Sequence, residues 1–423
     1  MLTPGRILEP RHFAGFRCIG ADCEDTCCDG WAVPVDKAAY EKYRECPDPK
    51  WRASFEKLVT IHAANPTDHD YARIRLDSTT CPFLSEGLCS IHKNLGEDYL
   101  PVTCASFPRV WNIVDQVLER SLDLGCPEAA RVALLDPEAM GFEEKPMDGR
   151  DYEVRAGAVD TSRRSHAGKP YQHFSPVRAF AVGLLQNRAL PLWKRILILG
   201  FFCDKLQEMG SGNDEPEIPD MIQAYGQAVS AGSFDATLNQ LSANLPLRLE
   251  TVVEIIIARI TSDFTNRRFL QSYKEFMDGL EWSHDSTMES LGSRYLAVYT
   301  QQCAPFLAAH SHILEHYLVN YVYRGLFPFG PQESTYTLRV QHIQRSIHDG
   351  FMLMAAHYAI IETLLAGLAG FYKEAFAAEH VIRVIYTSTR TFEHSLTFSE
   401  RILQALEGKG LNSVQGAAVL IRA

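Results

Sequence analysis

The sequence has no Cys-x2-Cys pair, although eleven of its 423 residues are cysteine. Zinc ribbons and finger knuckles are built on that pair, so both are disfavoured. There is no Lys/Arg block of the kind that marks a nucleic-acid footprint; the densest basic spot is Arg163-Arg164, and the formal net charge is −11. No nucleic acid is therefore expected as a partner. No apolar run follows Met1-Leu2-Thr3-Pro4-Gly5-Arg6, so a secretory signal is not expected. The default compartment is then the cytoplasm, where disulfides are rare and clustered cysteines more often bind metal. The chain lacks a Gly-x-Ser-x-Gly, a His-Glu-x-x-His and a Walker loop, which leaves hydrolase and nucleotide-triphosphatase readings without motif support. It also lacks low-complexity tracts and any fixed repeat, so a solenoid is not indicated. Hydrophobic residues make up 46% and run through the whole length, which argues against disorder.

What the chain does have is punctuated thiols. Cys18, Cys23, Cys27 and Cys28 open the series, and Cys81, Cys89, Cys104 and Cys126 continue it; Cys46, Cys203 and Cys303 stand alone. Thiolate is a soft ligand that suits zinc and iron–sulfur clusters, and a 4Fe–4S cluster accepts varied ligand spacing. The eight thiols make either two four-ligand sites or one site plus structural cysteines, and spacing does not choose between them. Cys27 and Cys28 point in different directions if their segment is extended, so a single ion uses one of them. His92, three residues after Cys89, is a further candidate ligand, a hydrogen-bonding surface histidine being the plainer reading.

The architecture expected is mainly α: an irregular cysteine-rich metal-binding module over residues 1–135, a polar linker over 136–175, and a multi-helix bundle over 176–423 packed on the module. In the module, Asp36 stands where it can cap a helix over 37–44. Helix is expected over 51–62, strand over 72–76 and 110–118, a turn at Ser85-Glu86-Gly87, and a short helix after Cys126-Pro127. The linker has room for a strand near Tyr152-Glu153-Val154. In the bundle, helices are expected over 192–209 (ended by Gly210-Ser211-Gly212-Asn213), 219–231, 234–241, 247–262, 266–279, 287–302, 306–326, 336–368 with a break near Gly350, 377–395 and 399–407. The stretch 351–372 is long and apolar enough to span a bilayer. It carries His357 and Glu362 near its middle, and an ionised Glu there is costly in lipid, so a buried helix is the better reading. Peripheral membrane association stays open, and the sequence says nothing of oligomeric state.

These residues carry a resemblance. The phrase CIGADCEDTCCDGW-x-V-x-VD, then CPFL…LCSIH, LP-x-TCASFPR and CPEAAR, resemble the flagellin lysine-N-methylase family and, through the cysteines, the wider CxxCxxCC zinc- or iron-chelating proteins. The stretches HYLVNYVYRGLFPFG (316–330) and TRTFEH (389–394) are similar to the same family. The resemblance implies a protein-lysine N-methyltransferase that takes methyl from S-adenosylmethionine, acts on flagellin, and holds a cysteine-ligated iron–sulfur centre, with zinc as the alternative. The chain departs from common methyltransferase patterns in two ways. No Gly-x-Gly-x-x-Gly follows a strand, and the Cys-x3-Cys-x2-Cys spacing usual for radical S-adenosylmethionine clusters is absent.

Direct transfer needs a neutral amine, whereas free lysine titrates near 10.4, and aromatic faces would favour a positive sulfonium. Tyr317 and Tyr321 share a helical face, as do His316 and Asn320. Core packing is the competing account of the tyrosines. Arg390, Glu393 and His394 form a second group, for which a helix-surface ion pair is the competing account. Tyr317, Tyr321, Arg390, Glu393 and His394 are thus the catalytic candidates. Arg109 and Asn320 are candidates for the cofactor, and Asp25 and Asp36 lie inside the cysteine motifs. A non-enzymatic zinc- or iron-chelating protein, or a flagellin-interaction protein, is the alternative function.

Overall fold

The computed structural model describes residues 5–28, 33–62, 66–76, 80–146, 157–211, 217–262, 266–331 and 345–422. Local signals set the first helices. Asp36 Oδ1 accepts the Ala39 amide at 2.9 Å and caps the helix Lys37–Arg44, while Oδ2 takes the Val102 amide at 2.8 Å. Asp48 caps Pro49–Leu58, which has Pro in its first turn. That helix stops short of residue 62 because Val59-Thr60-Ile61 are stiff at χ1 and pair as a strand.

The strands are β1 (Arg6–Pro10), β2 (Pro34–Val35), β3 (Val59–Ile61), β4 (Ala72–Ile74), β5 (Leu84–Ser85), β6 (Leu88–Cys89), β7 (Arg109–Val114), β8 (Val117–Leu122), β9 (Phe142–Pro146) and β10 (Gly157–Val159). They form a sheet ordered β10-β7-β8-β1-β9, a three-stranded sheet β2-β4-β3, and the hairpin β5-β6. In that hairpin Glu86 and Gly87 both take positive φ, as a two-residue turn requires. The single strand expected over 110–118 is a hairpin, because Asp115 turns the chain at φ 54° between Val114 and Val117. Asp115 Oδ1 also accepts the Thr161 amide at 2.8 Å, which ties β10 to the turn.

Residues 136–175 supply β9, antiparallel to β1, and β10, parallel to β7. Leu124, Ala130, Ala133, Leu134 and Met140 belong to the helical core, whereas Val33, Tyr43, Phe55, Ile74, Phe83 and Ile91 form a separate small core. The sheet meets the helical half where Val114 and Val159 cluster with Phe174 and Leu326. The strand expected near 152–154 lies outside the described residues.

The remainder is helical, as its periodicity indicates. The central helix, Ile347–Tyr372, is continuous through Gly350, and its residues 351–369 are buried. The segment expected over 336–344 lies outside the described residues. The helix Arg267–Gly279 crosses the central helix so closely that a Cβ on Gly367 would meet Phe276 Cδ2 at 2.4 Å. The central helix is long and apolar enough to cross a membrane, but here its whole apolar window is buried by protein. Glu362 within it accepts from Arg248 Nη2 at 2.8 Å, from Tyr358 at 2.9 Å and from Tyr299 at 3.2 Å. Partnering of this kind is what a buried carboxylate requires.

Helix ends also depart from expectation. The 306–326 helix is two, Ala304–Ala309 and His312–Arg324. The 287–302 and 377–395 helices each loosen into a π turn, at Tyr299–Cys303 and Thr389–Glu393. The helix from Leu192 runs on to Ser211, and Gly212 and Asn213 lie outside the described residues. A last helix, Val414–Ile421, was not expected; with three alanines or glycines among eight residues, its apolar pattern is weak.

Candidate functional site

The strand β8, the tyrosine helix His312–Arg324 and the π turn Thr389–Glu393 bring charged groups into one cluster. Tyr317, Tyr321 and Arg324 lie at i, i+4 and i+7, so one face of the tyrosine helix presents all three. Arg324 Nη1 donates to Asp123 Oδ2 at 3.0 Å, and Nη2 donates to Glu393 Oε2 at 2.5 Å. Tyr317 donates to Glu393 Oε1 at 2.9 Å, and Thr389 donates to the same oxygen at 3.2 Å. His394 Nε2 faces Asp123 Oδ1 and Oδ2 at 3.1 and 3.0 Å. Asp123 Oδ1 also accepts the Gly125 amide at 2.8 Å.

The cluster is buried except at His394, whose side chain is 38% exposed. Burial alone would raise the Asp123 carboxyl, but His394 and Arg324 outweigh it and hold it below the usual carboxylate range. The Tyr317 phenol moves the other way, pushed up by burial and by Glu393. Gly125 has to be small, since a Cβ there would come within 3.1 Å of both Arg390 Cγ and His394 Cε1.

Arg390 points away from Glu393, so the helix-surface pair considered for them does not form. Its Nε donates to the Gly125 carbonyl, and its Nη1 donates to Asp25 Oδ2 at 3.0 Å and to the Thr26 carbonyl at 2.9 Å. The π turn allows this divergence, because one extra residue per turn swings the following side chains round the axis. Arg390 thereby fastens the first cysteine loop to the bundle. Glu24 of that loop is also paired, with Arg131, at 2.5 Å.

The later thiols gather beside this loop. The Cys81 amide donates to the Cys28 carbonyl at 2.9 Å, and Cys28, Cys81, Cys89 and Cys104 pack on the small N-terminal core. Cys28 hydrogen-bonds Cys27, which lowers the Cys27 thiol to about 6 and raises that of Cys28. Burial pushes the Cys104 thiol up, and the nearby Cys27, Cys89 and Cys81 push it further. Cys126 is raised to about 12 by burial, with Cys23 and Arg390 in its field, and it packs on a different cluster with Phe16 and Leu122. Cys18 is exposed and packs in neither cluster. Among the described residues, no group of three or more His, Cys, Asp and Glu side chains closes to metal-binding geometry. The fold therefore gathers five of the eight expected ligands without closing them into a metal site. His92 is exposed on the short helix Ser90–Leu95.

Of the other expected residues, Asn320 Nδ2 donates to the Leu122 carbonyl at 3.2 Å, at the edge of the cluster. Arg109 is elsewhere, its guanidinium 5.1 Å from the centre of the Phe16 ring. Asp123 and Arg324 are site residues that the sequence does not single out, though Arg324 lies inside the 316–330 stretch that contains Tyr317. A cavity of about 650 Å³ is lined mainly by residues of the segments 188–195 and 304–314, including Arg188, Trp193 and Leu314, together with Tyr299 and with Tyr358 and Glu362 of the central helix.

Comparison with known proteins bears on this arrangement. Residues 178–420 match the family model described as FliB lysine N-methylase C-terminal domain. Proteins called lysine-N-methylase from Salmonella typhimurium strain LT2 and Salmonella choleraesuis strain SC-B67 are each 35% identical over 142 residues, covering 33% of this chain and 35% of theirs. The flagellar biosynthetic protein FliU of Salmonella muenchen is 35% identical over 142 residues, covering 33% of this chain and 83% of its own. The match thus spans about a third of the length of the two methylases. No solved structure matches the chain. With its helical half matched from Arg178 to Leu420, the chain belongs to the FliB lysine N-methylase family.

Proposed function

We propose that the protein is a cytoplasmic protein-lysine N-methyltransferase, with flagellin as substrate and S-adenosylmethionine as donor, and that its cysteines hold an iron–sulfur centre of the 4Fe–4S type. The family match over 178–420 carries this reading. The names of the relatives, lysine-N-methylase and flagellar biosynthetic protein, point to the same substrate class.

The cluster offers chemistry of the right kind. The donor supplies a methyl group on a positively charged sulfur. A neutral lysine amine uses its lone pair to form the N–C bond as the S–C bond breaks; the sulfur leaves as a neutral thioether and the surplus proton on nitrogen goes to water. The Tyr317 and Tyr321 rings, 6.4 Å apart between centroids, offer faces that favour positive charge. Glu393 supplies a compensating negative charge, held in place by Tyr317 and Arg324. The cluster reaches solvent at His394, the natural exit for the proton. The cavity lined by Arg188, Trp193 and Tyr358 has the volume and mixed lining usual for ligand pockets, which suits a nucleoside-sized donor.

The thiol set fits a thiolate-held centre in its donor chemistry. Cys81, Cys89 and Cys104 with one of the adjacent Cys27 and Cys28 would hold it, and Arg390 would couple it to the carboxylate cluster through Asp25. Zinc is the alternative occupant of the same donors.

The test is methyl transfer by anaerobically purified full-length protein. Labelled methyl from S-adenosylmethionine should appear on flagellin lysines, and the protein should carry iron and acid-labile sulfide. Flagellin binding without transfer would replace the enzyme with an interaction protein; zinc without iron would replace the cluster with a zinc site.

A further inference from the structure

The central helix carries His357 and Glu362 in its buried middle, and they are treated differently. Glu362 has three partners, Arg248, Tyr299 and Tyr358. His357 is 5% exposed, yet among the described residues neither Nδ1 nor Nε2 has a hydrogen-bond partner. Burial keeps its ring neutral, lowering the pKa to about 4 against the opposing pull of Glu393 and with the help of Arg345 and Arg324. A neutral imidazole always has one N–H to give and one lone pair to share. Burying both unused costs free energy that Phe or Leu at the same position would not. Its neighbours on the helix, Ala356 and Ile360, are buried and apolar, so packing alone gives no reason for a histidine there.

Its position supplies the reason. The His357 ring lies edge-on to Tyr321, with centroids 5.7 Å apart, and Tyr321 lies beside Tyr317 in the carboxylate cluster. The geometry points to His357 as a catalytic residue at the inner end of a site for a primary alkyl amine, in which the bare imidazole nitrogen accepts an amine N–H and the Tyr321 ring lies along the alkyl stem. Burial disfavours an ammonium there as it disfavours a charged imidazole, and Arg345 and Arg324 add to this against the opposing pull of Glu393, so the site favours the uncharged amine. With one N–H directed at the imidazole, the amine's lone pair is turned away from His357 and left free to attack. This rests on the lysine methylation proposed above and names the residue that orients its acceptor.

The experiment uses full-length protein and four measurements. His357→Phe keeps the ring and removes both unmet nitrogens; it should raise the melting temperature while lowering kcat on flagellin at least tenfold, with the KM for S-adenosylmethionine unchanged. His357→Gly should regain activity when imidazole is added to the solution. n-Butylamine, the lysine side chain without its backbone, should shift the ¹⁵N resonances of one histidine in the wild type and none in His357→Phe. A structural histidine gives the opposite pattern: His357→Phe melts lower, its activity follows its folded fraction, imidazole rescues nothing and butylamine shifts no histidine, and that pattern overturns the assignment. A wild type that moves no methyl but shows the butylamine shift sinks the methylation reading and leaves the amine site standing.

Discussion

Arg390 Nη1 lies 3.0 Å from Asp25 Oδ2 across 365 residues of sequence, joining the first cysteine loop to the helical bundle. Both side chains are largely buried, at 10% and 15% exposure, so the pair is shielded from the screening that weakens surface ion pairs. A double-mutant cycle on Arg390→Ala and Asp25→Ala should give a coupling energy of about 1.5–3 kcal/mol, as expected for a charge-assisted hydrogen bond. Amides of residues 23–28 should exchange faster in either single variant. Coupling near zero would detach the cysteine loop from the account of the site.

Arg324 compensates two buried carboxylates at once. Arg324→Met should therefore destabilise the protein by roughly 3–5 kcal/mol, the usual cost of stranding a buried charge. Adding Asp123→Asn and Glu393→Gln to it should recover most of that loss in urea unfolding. If the triple variant is less stable than Arg324→Met alone, charge compensation is not what Arg324 provides.

The Arg248–Glu362 pair in the central helix follows the same rule in a drier place. Arg248→Met or Glu362→Leu alone should each cost about 3–5 kcal/mol, whereas the double variant should lie close to wild type. Additive losses in denaturant melts would contradict this.

Three buried histidines predict acid sensitivity. His12, His316 and His357 are each lowered to about 4, burial being the largest cause in every case. A group depressed below its unfolded value of about 6.5 leaves the unfolded chain holding more protons, so stability is full above that value and falls as pH drops toward 4. A tenfold weaker hold on the proton is worth about 1.4 kcal/mol, so each histidine should contribute roughly 3 kcal/mol to the loss. Melting curves between pH 7 and 4 should show the decline, and His316→Phe should flatten it.

Much of this was legible in the sequence because it is local. Asp36 caps its helix, the Glu86-Gly87 turn forms, and the bundle helices follow their apolar periodicity. The expected catalytic residues Tyr317, Glu393 and His394 meet in one cluster, but the residues that join them, Asp123 and Arg324, were not singled out. No local pattern marks Asp123: it follows the last residue of β8, and its partners are 201 and 271 residues away. The π turn at Thr389–Glu393, which sends Arg390 and Glu393 to opposite sides, is likewise set by tertiary contacts, since a regular helix would have faced them together. Strands β9 and β10 were hidden in a polar segment because each is short and takes its register from β1 and β7 rather than from alternation of its own.

The most direct test of the whole account is methyl transfer to flagellin measured by mass spectrometry for wild type and Glu393→Gln, each purified anaerobically with its metal intact. The prediction is added methyl mass on flagellin lysines with wild type, and a rate at least tenfold lower with Glu393→Gln while its metal content and far-UV spectrum are unchanged. Equal rates for the two proteins, or no methyl added by wild type, would contradict it.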